Sequence, residues 1–315
     1  MEAEASGMAI RPAALRMGDT IGIVTLGSPL EPETIRTRIA YLQGMGFNVV
    51  LGRHVFDQNG YLAGTAQERA EDLMGMFADP RVKMILPVRG GVGVEGILPF
   101  LDYGFIRDHP KLLSGYSDIT VLLNALYRFA GVIALHSLLL LDFRPETPAY
   151  NFDQFFSATS SLAAPRPIAN PPEMPPLVGR GTGTVCGPIV GGNLTSFVGS
   201  LGTPFEADTR GKILLLEETH EPVNTVYRYV EQLRLAGKFR DCLGIVMGEC
   251  TNCIDAYGKT YQNLIDEVIA PLGKPLVTGL ASGHGTYKAA IPIGACVLMD
   301  ADNGRLTLME PAVTA

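Results

Sequence analysis

Short apolar runs alternate with amphipathic stretches through the first half of the chain. "TIGIVT" (20–25) has the length and composition of a buried strand. It is followed by "EPETIRTRIAYLQGMG", in which Ile35, Ile39 and Leu42 fall on one helical face. "FNVVLG" reads as a second strand. "TAQERAEDLMGMFADP" reads as a second helix, with Thr65 and Glu68 spaced as a capping box and Pro80 beyond its end. "KMILPV", "KLLSG" (111–115) and "VIALH" (132–136) supply three more strands, with the helical "ITVLLNALYRFAG" between the last two. Near-continuous apolar strands separated by helices predict an α/β unit. Its sheet is doubly wound, mostly parallel and flavodoxin-like, covered on both faces.

The pattern changes near Glu146. "ETPAYNFDQFFSATSSLAAPRPIANPPEMPPLVGRGTG" is rich in proline, serine and alanine and shows no long apolar periodicity, as a linker would. Beyond it come "GGNLTSFVGSLGTPF", a strand "KILLLEE", an amphipathic helix "NTVYRYVEQLRLAG", a strand "LGIVMGE" and a helix through "YQNLIDEVIAPLG". The short runs "PLVTGL", "AAIPIGACVLMD" and "RLTLME" finish the chain in the manner of a mixed sheet. The expected organisation is an N-terminal domain over 1–145, a linker over 146–183 and a C-terminal α/β domain over 184–315, with no internal repeat.

Composition narrows the partners. The 315 residues are 47% apolar and 18% charged, with net charge −7, mean hydropathy +0.19 and pI ≈ 5.3. A core of good size is available, and the acidic balance without a basic cluster argues against nucleic acid. The N-terminal "MEAEASGMAIRP" lacks the apolar core of a signal peptide, and "VIALHSLLLLDF" is too short to span a bilayer. These features point to a cytoplasmic protein acting on a small molecule or peptide. Five cysteines, an odd number, suit free buried thiols. "CTNC" (250–253) has no second pair that would make a zinc site and reads as coincidence.

Two stretches carry candidate chemistry. "VRGGVGVEGILPF" (88–100) contains G-x-G-x-x-G at Gly91, Gly93 and Gly96, the form of a dinucleotide fingerprint, yet it follows the third strand and not the first. In "LLSGYSDITVLLNAL", Ser117 sits where an apolar strand turns abruptly into a helix. Such a corner exposes Oγ above the C-terminal edge of the sheet, with the next amide pointing the same way. Ser117 and Asp118 also suit simple helix caps. A nucleophilic serine needs a base and an orienting acid. Among the five histidines (His54, His109, His136, His220, His284), His284 stands out between Gly283 and Gly285, where backbone can approach a substrate, although exposed loops look the same. Glu217 ends an apolar strand, as an orienting acid should; Glu218 and Glu221 read as solvated.

Taken together, the segments "LRMGDTIGIVTLGSP", "YLAGTAQERAEDLMGMF", "VRGGVGVEGILPFLDY", "PKLLSGYSDITVLLNAL", "IVGGNLTSFVGSLGTPF", "ILLLEE" and "GHGTYKAAIPIGA" resemble the LD-carboxypeptidase family of serine peptidases. That family includes murein tetrapeptide carboxypeptidases and microcin C immunity hydrolases. Each segment alone is weak, but their order along almost the whole chain is specific. The resemblance implies a Ser117–Glu217–His284 triad in a cleft between domains, with no metal and no organic cofactor. It implies an oxyanion hole from the backbone of Gly90 or Gly91 together with Asp118, so that the G-x-G-x-x-G is incidental. It further implies a cytoplasmic enzyme of peptidoglycan recycling that removes a terminal D-amino acid from a small peptide, with a homodimer as its assembly and neither nucleic acid nor membrane as partner.

Two positions depart from the family pattern: Val92 replaces the usual aromatic after "RGG", and "HSLLL" replaces "HGP" after the fifth strand. Arg89 is read as a structural ion-pair partner, with a substrate carboxylate as the alternative. The competing readings are an immunity-type amidase, disfavoured by the absence of tryptophan for purine stacking, a nucleotide-binding domain using Gly91, Gly93 and Gly96, and a catalytically dead binding module.

Overall fold

A computed structural model describes residues 9–315 and divides the chain into two compact units. Residues 1–8, which hold most of the stretch read as lacking a signal peptide, lie outside the described residues. The first unit opens with β1 (Thr20–Val24), α1 (Pro32–Gly44), β2 (Asn48–Leu51), α2 (Ala66–Ala78) and β3 (Val82–Pro87). It continues through α3 (Tyr103–Asp108), β4 (Leu112–Gly115), α4 (Thr120–Ala125), β5 (Ala134–His136) and α5 (Ala149–Ser160).

The five strands are parallel in the order β2-β1-β3-β4-β5. Ile21, Ile23, Ile85, Leu86 and Leu113 are fully buried, as strands covered on both faces require. The capping box of α2 forms: Thr65 Oγ1 accepts from the Glu68 N–H at 3.2 Å, and Glu68 Oε2 accepts from the Thr65 N–H at 2.8 Å. Strand order reverses between β1 and β3, and the loops leaving these two strands meet at the carboxyl edge, where the Ser28 N–H donates to the Gly90 carbonyl. Open α/β sheets place their ligands at such a point.

The second unit holds β6 (Arg166–Ile168), β7 (Val178–Gly179), β8 (Thr184–Asn193), α6 (Leu194–Gly199), β9 (Ile213–Thr219), α7 (Val223–Leu235), α8 (Lys238–Asp241), β10 (Gly244–Thr251), α9 (Tyr261–Leu264) and β11 (Leu276–Leu280). After β12 (Ile291–Ile293), the chain adds β13 (Cys296–Asp300) and β14 (Arg305–Leu308). Its eight-stranded sheet runs β6-β14-β13-β8-β9-β10-β11-β7. The middle strands β8 to β11 are parallel and the flanking ones antiparallel. The mixed character matches expectation. Leu214, Leu216, Val226, Val230, Leu233 and Ile245 form the core of one face.

Several boundaries differ from the expected 1–145, 146–183 and 184–315. The first unit runs to Leu162 and takes back Ala290–Gly294 and Ala312–Ala315. The stretch read as a linker contains α5, whose Phe152 and Phe156 stack on Tyr41 and Phe47 while Phe155 meets Phe143 edge-on. The aromatic spacing in "YNFDQFF" was the available signal, masked by proline-rich neighbours. β6 and β7 then edge the second sheet. β12 pairs antiparallel with β5, since "IPI" has a partner only in the first sheet. The cysteines also depart from the picture of free buried thiols. Cys250 and Cys253 are joined in a disulfide, Cys186 is exposed, and of the three free cysteines only Cys242 is buried.

Candidate active site

At the end of β4 the chain turns in very little space. A side-chain carbon at Gly115 would lie 2.9 Å from Ile119 Cγ2 and 3.0 Å from Leu139 Cδ2, so glycine is required. Ser117 follows two residues later with φ 62°, a left-handed conformation that costs a β-carbon residue free energy. It is half-buried, and the 3₁₀ turn Ser117–Ile119 that it opens leads into α4. Neither that turn nor α4 is closed by a side-chain cap. The capping reading of Ser117 therefore fails, and the strain has no local structural return.

The glycine turn after β3 lies directly against this corner. A carbon added to Gly90 would stand 2.7 Å from Ser117 Cβ and 2.9 Å from both Ser117 Oγ and the Asp118 nitrogen. The opposite side of the turn is fastened by the loop after β1. The Ser28 N–H donates to the Gly90 carbonyl at 3.0 Å, and Ser28 Oγ accepts from the Val92 N–H at 3.2 Å. In a trans peptide the carbonyl and the following N–H point in opposite directions. The Gly91 N–H is thus turned away from the β1 loop, and among the described residues it finds no acceptor. Side chains at Gly91 or Gly93 would overlap Ser28 and Leu62 respectively. The space a nucleotide phosphate would need beside these glycines is filled by the protein. The helix that follows, Val94–Phe100, is a 3₁₀ turn, not the α-helix of a dinucleotide site.

In the second unit, Glu217 sits near the end of β9, 1% exposed, and pairs across the sheet with Asn193. Its Oε2 lies 3.0 Å from His284 Nδ1. A carboxylate at Nδ1 holds the ring proton there and leaves Nε2 as the basic nitrogen. The glycines around His284 have a spatial cause. A side chain at Gly283 would overlap the Glu217 carboxylate, and one at Gly285 would overlap that of Glu249. Lys288, buried, donates from Nζ to the Gly285 carbonyl at 2.6 Å. Burial raises the Glu249 pKa, Lys288 lowers it and Glu217 raises it further. Glu249 and Lys288 went unnoticed in the sequence, where an acid inside "GIVMGEC" was the sole hint.

Glu218, read as solvated, is 2% exposed. It accepts from the Thr195 N–H and Oγ1 at 2.9 and 2.6 Å, from Asn193 Nδ2 at 3.1 Å and from the Thr219 N–H at 2.7 Å. It is a structural acid that ties β9 to the start of α6. Burial raises its pKa, and these bonds oppose the rise.

The remaining histidines are engaged elsewhere. His54 Nδ1 pairs with Asp57 at 2.7 Å, His109 Nδ1 lies 3.0 Å from the Phe105 carbonyl, and His220 Nδ1 lies 2.7 Å from Thr219 Oγ1. His136 is fully buried in β5. Arg89, expected to be ion-paired, makes no hydrogen bond or ion pair among the described residues. Among those residues no group of three or more His, Cys, Asp or Glu side chains is arranged to hold a metal ion.

Comparison with known proteins adds to this geometry. The model of the LD-carboxypeptidase N-terminal domain matches residues 21–137, and that of the C-terminal domain matches residues 186–299. The probable murein peptide carboxypeptidase of Bacillus subtilis (strain 168) is 36% identical over 299 residues, covering 92% of this chain and 91% of its own. The murein tetrapeptide carboxypeptidase of Pseudomonas aeruginosa is 29% identical over 290 residues, covering 90% of this chain and 94% of its own. Among solved structures, the microcin C7 self immunity protein MccF in complex with aspartyl sulfamoyl adenosine superposes with a TM-score of 0.90. It is 26% identical and covers 97% of this chain and 100% of its own.

Proposed function

Since the chain belongs to the LD-carboxypeptidase family, we propose that it is a serine carboxypeptidase that removes the terminal D-amino acid from a murein-type tetrapeptide, with Ser117, His284 and Glu217 as its triad. The observation that carries the serine assignment is the left-handed Ser117 packed against Gly90. Strain at a half-buried hydroxyl with no capping role is what a nucleophile corner stores. The Glu217–His284 pair supports the rest.

In this reading His284 Nε2 takes the Ser117 proton as Oγ attacks the scissile carbonyl, and the Glu217 carboxylate stabilises the imidazolium that forms. The Gly91 and Asp118 N–H groups receive the oxyanion. Collapse expels the D-amino acid, whose nitrogen takes the proton from His284. Water activated by the same imidazole then cleaves the acyl-enzyme and releases the shortened peptide. No helix among the described residues is long and apolar enough to cross a membrane. On the family resemblance alone, we assign the activity to the cytoplasm and to a homodimer.

The MccF complex motivates a second reading, hydrolysis of an aminoacyl sulfamoyl nucleoside. One experiment separates the two: incubation with L,D- and D,D-linked tetrapeptides and with aspartyl sulfamoyl adenosine, products read by mass. Release of D-alanine from the L,D-linked peptide alone, abolished in Ser117→Ala, supports the carboxypeptidase. Turnover of only the sulfamoyl adenosine would transfer the assignment to the immunity-type hydrolase.

A further inference from the structure

One peptide unit of the glycine turn is gripped at both ends by ionisable side chains. The Gly93 carbonyl accepts from Arg69 Nη1 at 2.9 Å, and the Val94 N–H, across the same peptide bond, donates to Asp118 Oδ2 at 2.8 Å. Arg69 comes from α2 and Asp118 from the corner after β4, so this peptide ties both to the end of β3. Arg69 is 1% exposed. Its other bonds also go to backbone: Nη1 to the Leu26 carbonyl in the loop after β1, and Nε to the Thr65 carbonyl at 3.2 Å. A guanidinium spent on three carbonyls at one loop junction is an expensive way to hold a fold, because burying a cation without a carboxylate in contact costs free energy. Burial depresses the Arg69 pKa, and the Asp118 charge opposes that effect.

The turn needs such a device. Gly91 and Gly93 have φ 87° and 93°, so the segment between Gly90 and Val94 has little intrinsic stiffness. Ser28 fixes its first part through Gly90 and Val92, and the Arg69–Asp118 clamp fixes its last. Rotating the Gly93–Val94 peptide would break two charge-assisted bonds together.

We propose that Arg69 and the Asp118 carboxylate are positioning residues that hold the Gly91 amide in register with the Asp118 amide, the two donors assigned to the oxyanion. The proposal rests on the serine-hydrolase reading above. The Asp118 side chain then serves as a spacer: it is covalently joined to one donor and hydrogen-bonded to the turn that carries the other. Preorganised donors lose their effect when displaced by a fraction of an ångström.

The test compares Asp118→Asn, Arg69→Lys and Arg69→Met with the unaltered protein in two measurements. These are steady-state kinetics on the L,D-linked tetrapeptide and affinity for a peptide aldehyde, which forms a tetrahedral adduct on serine. Asp118→Asn keeps the shape and an acceptor for Val94 but loses the charge. It should lower kcat by roughly 30- to 100-fold with KM within about threefold, and weaken the aldehyde by the same factor as kcat. Arg69→Met should lose more, and Arg69→Lys, which keeps a cation for the Gly93 carbonyl, should recover about tenfold over it. A folded Asp118→Asn protein with unchanged kcat overturns the proposal, as does a loss that falls on KM alone; this variant decides the matter if Arg69→Met does not fold. Undiminished hydrolysis by Ser117→Ala would instead overturn the underlying reading, whatever the other variants do.

Discussion

Glu217 occupies the volume that a side chain on Gly283 would need, and from that position its Oε2 meets His284 Nδ1 at 3.0 Å. Gly283 also has φ 77°. Gly283→Ala should therefore push the carboxylate and the imidazole apart as well as strain the backbone. We expect kcat to fall by about a hundredfold or more, towards the loss produced by removing the orienting acid itself. Parallel measurement of Glu217→Gln and Gly283→Ala checks this; near-native kcat in the glycine variant would contradict it.

Strain at Ser117 predicts a trade between stability and activity. Glycine adopts φ 62° without penalty, although it also loosens the unfolded chain. Ser117→Gly should be inactive yet more stable by about 1 kcal/mol, the net of these two effects. Urea denaturation would show a raised midpoint at constant slope. A lowered midpoint would mean that the hydroxyl contributes packing or bonding to the fold.

The two glycines after Arg89 should behave differently from Gly96. A methyl at Gly90 collides with Ser117 and the Asp118 nitrogen, and one at Gly91 overlaps Ser28. Either substitution should cost roughly 3–4 kcal/mol of transition-state stabilisation, read in kcat. At Gly96 the nearest atom is Ala66 Cβ at 3.7 Å, an ordinary contact, so Gly96→Ala should leave turnover within about twofold. A nucleotide fingerprint predicts instead that Gly93 and Gly96 matter as much as Gly91, with nucleotide affinity as the affected quantity.

Lys111 gives a prediction in pH. Its Nζ donates to the Met76 carbonyl at 2.8 Å and to that of Asp79, at the end of α2. Burial lowers its pKa from 10.5 to about 8, against the pull of Asp79 and with a small push from Lys83. The folded chain thus binds this proton less tightly than the unfolded one. The group's contribution to stability is complete above the unfolded value and is lost as pH falls through about 8. The difference in unfolding free energy, native minus Lys111→Met, should rise from about pH 7 to about pH 10. A flat difference would show that the Lys111 amine is protonated as readily in the folded chain as in the unfolded one.

Much of this was legible in the linear order of residues. The parallel first sheet followed from apolar runs such as Ile21–Val24 and Ile85–Val88, because strands covered on both faces cannot alternate with polar positions. Gly115 and Ser117 marked a corner because an apolar strand passes into a helix there within a few residues, and Thr65 with Glu68 marked a helix start through local bonds. Such features are set by neighbours along the chain, and sequence alone determined them.

Tertiary structure decided what depends on distant segments. "IPI" at 291–293 has no local property that assigns it to the first sheet; its partner is β5. Nothing around Glu218 distinguishes it from Glu217. One is enclosed by Asn193 and Thr195 and the other meets His284, because alternate residues of β9 face opposite sides of the sheet. Arg69 reads as an ordinary helix residue in "AQERAEDL", yet it is buried against the carbonyls of Leu26 and Gly93 from two distant loops as well as that of Thr65 at the start of its own helix. Hydrogen-bond partners for buried charge come from wherever the fold brings backbone together, and no spacing along the chain encodes that.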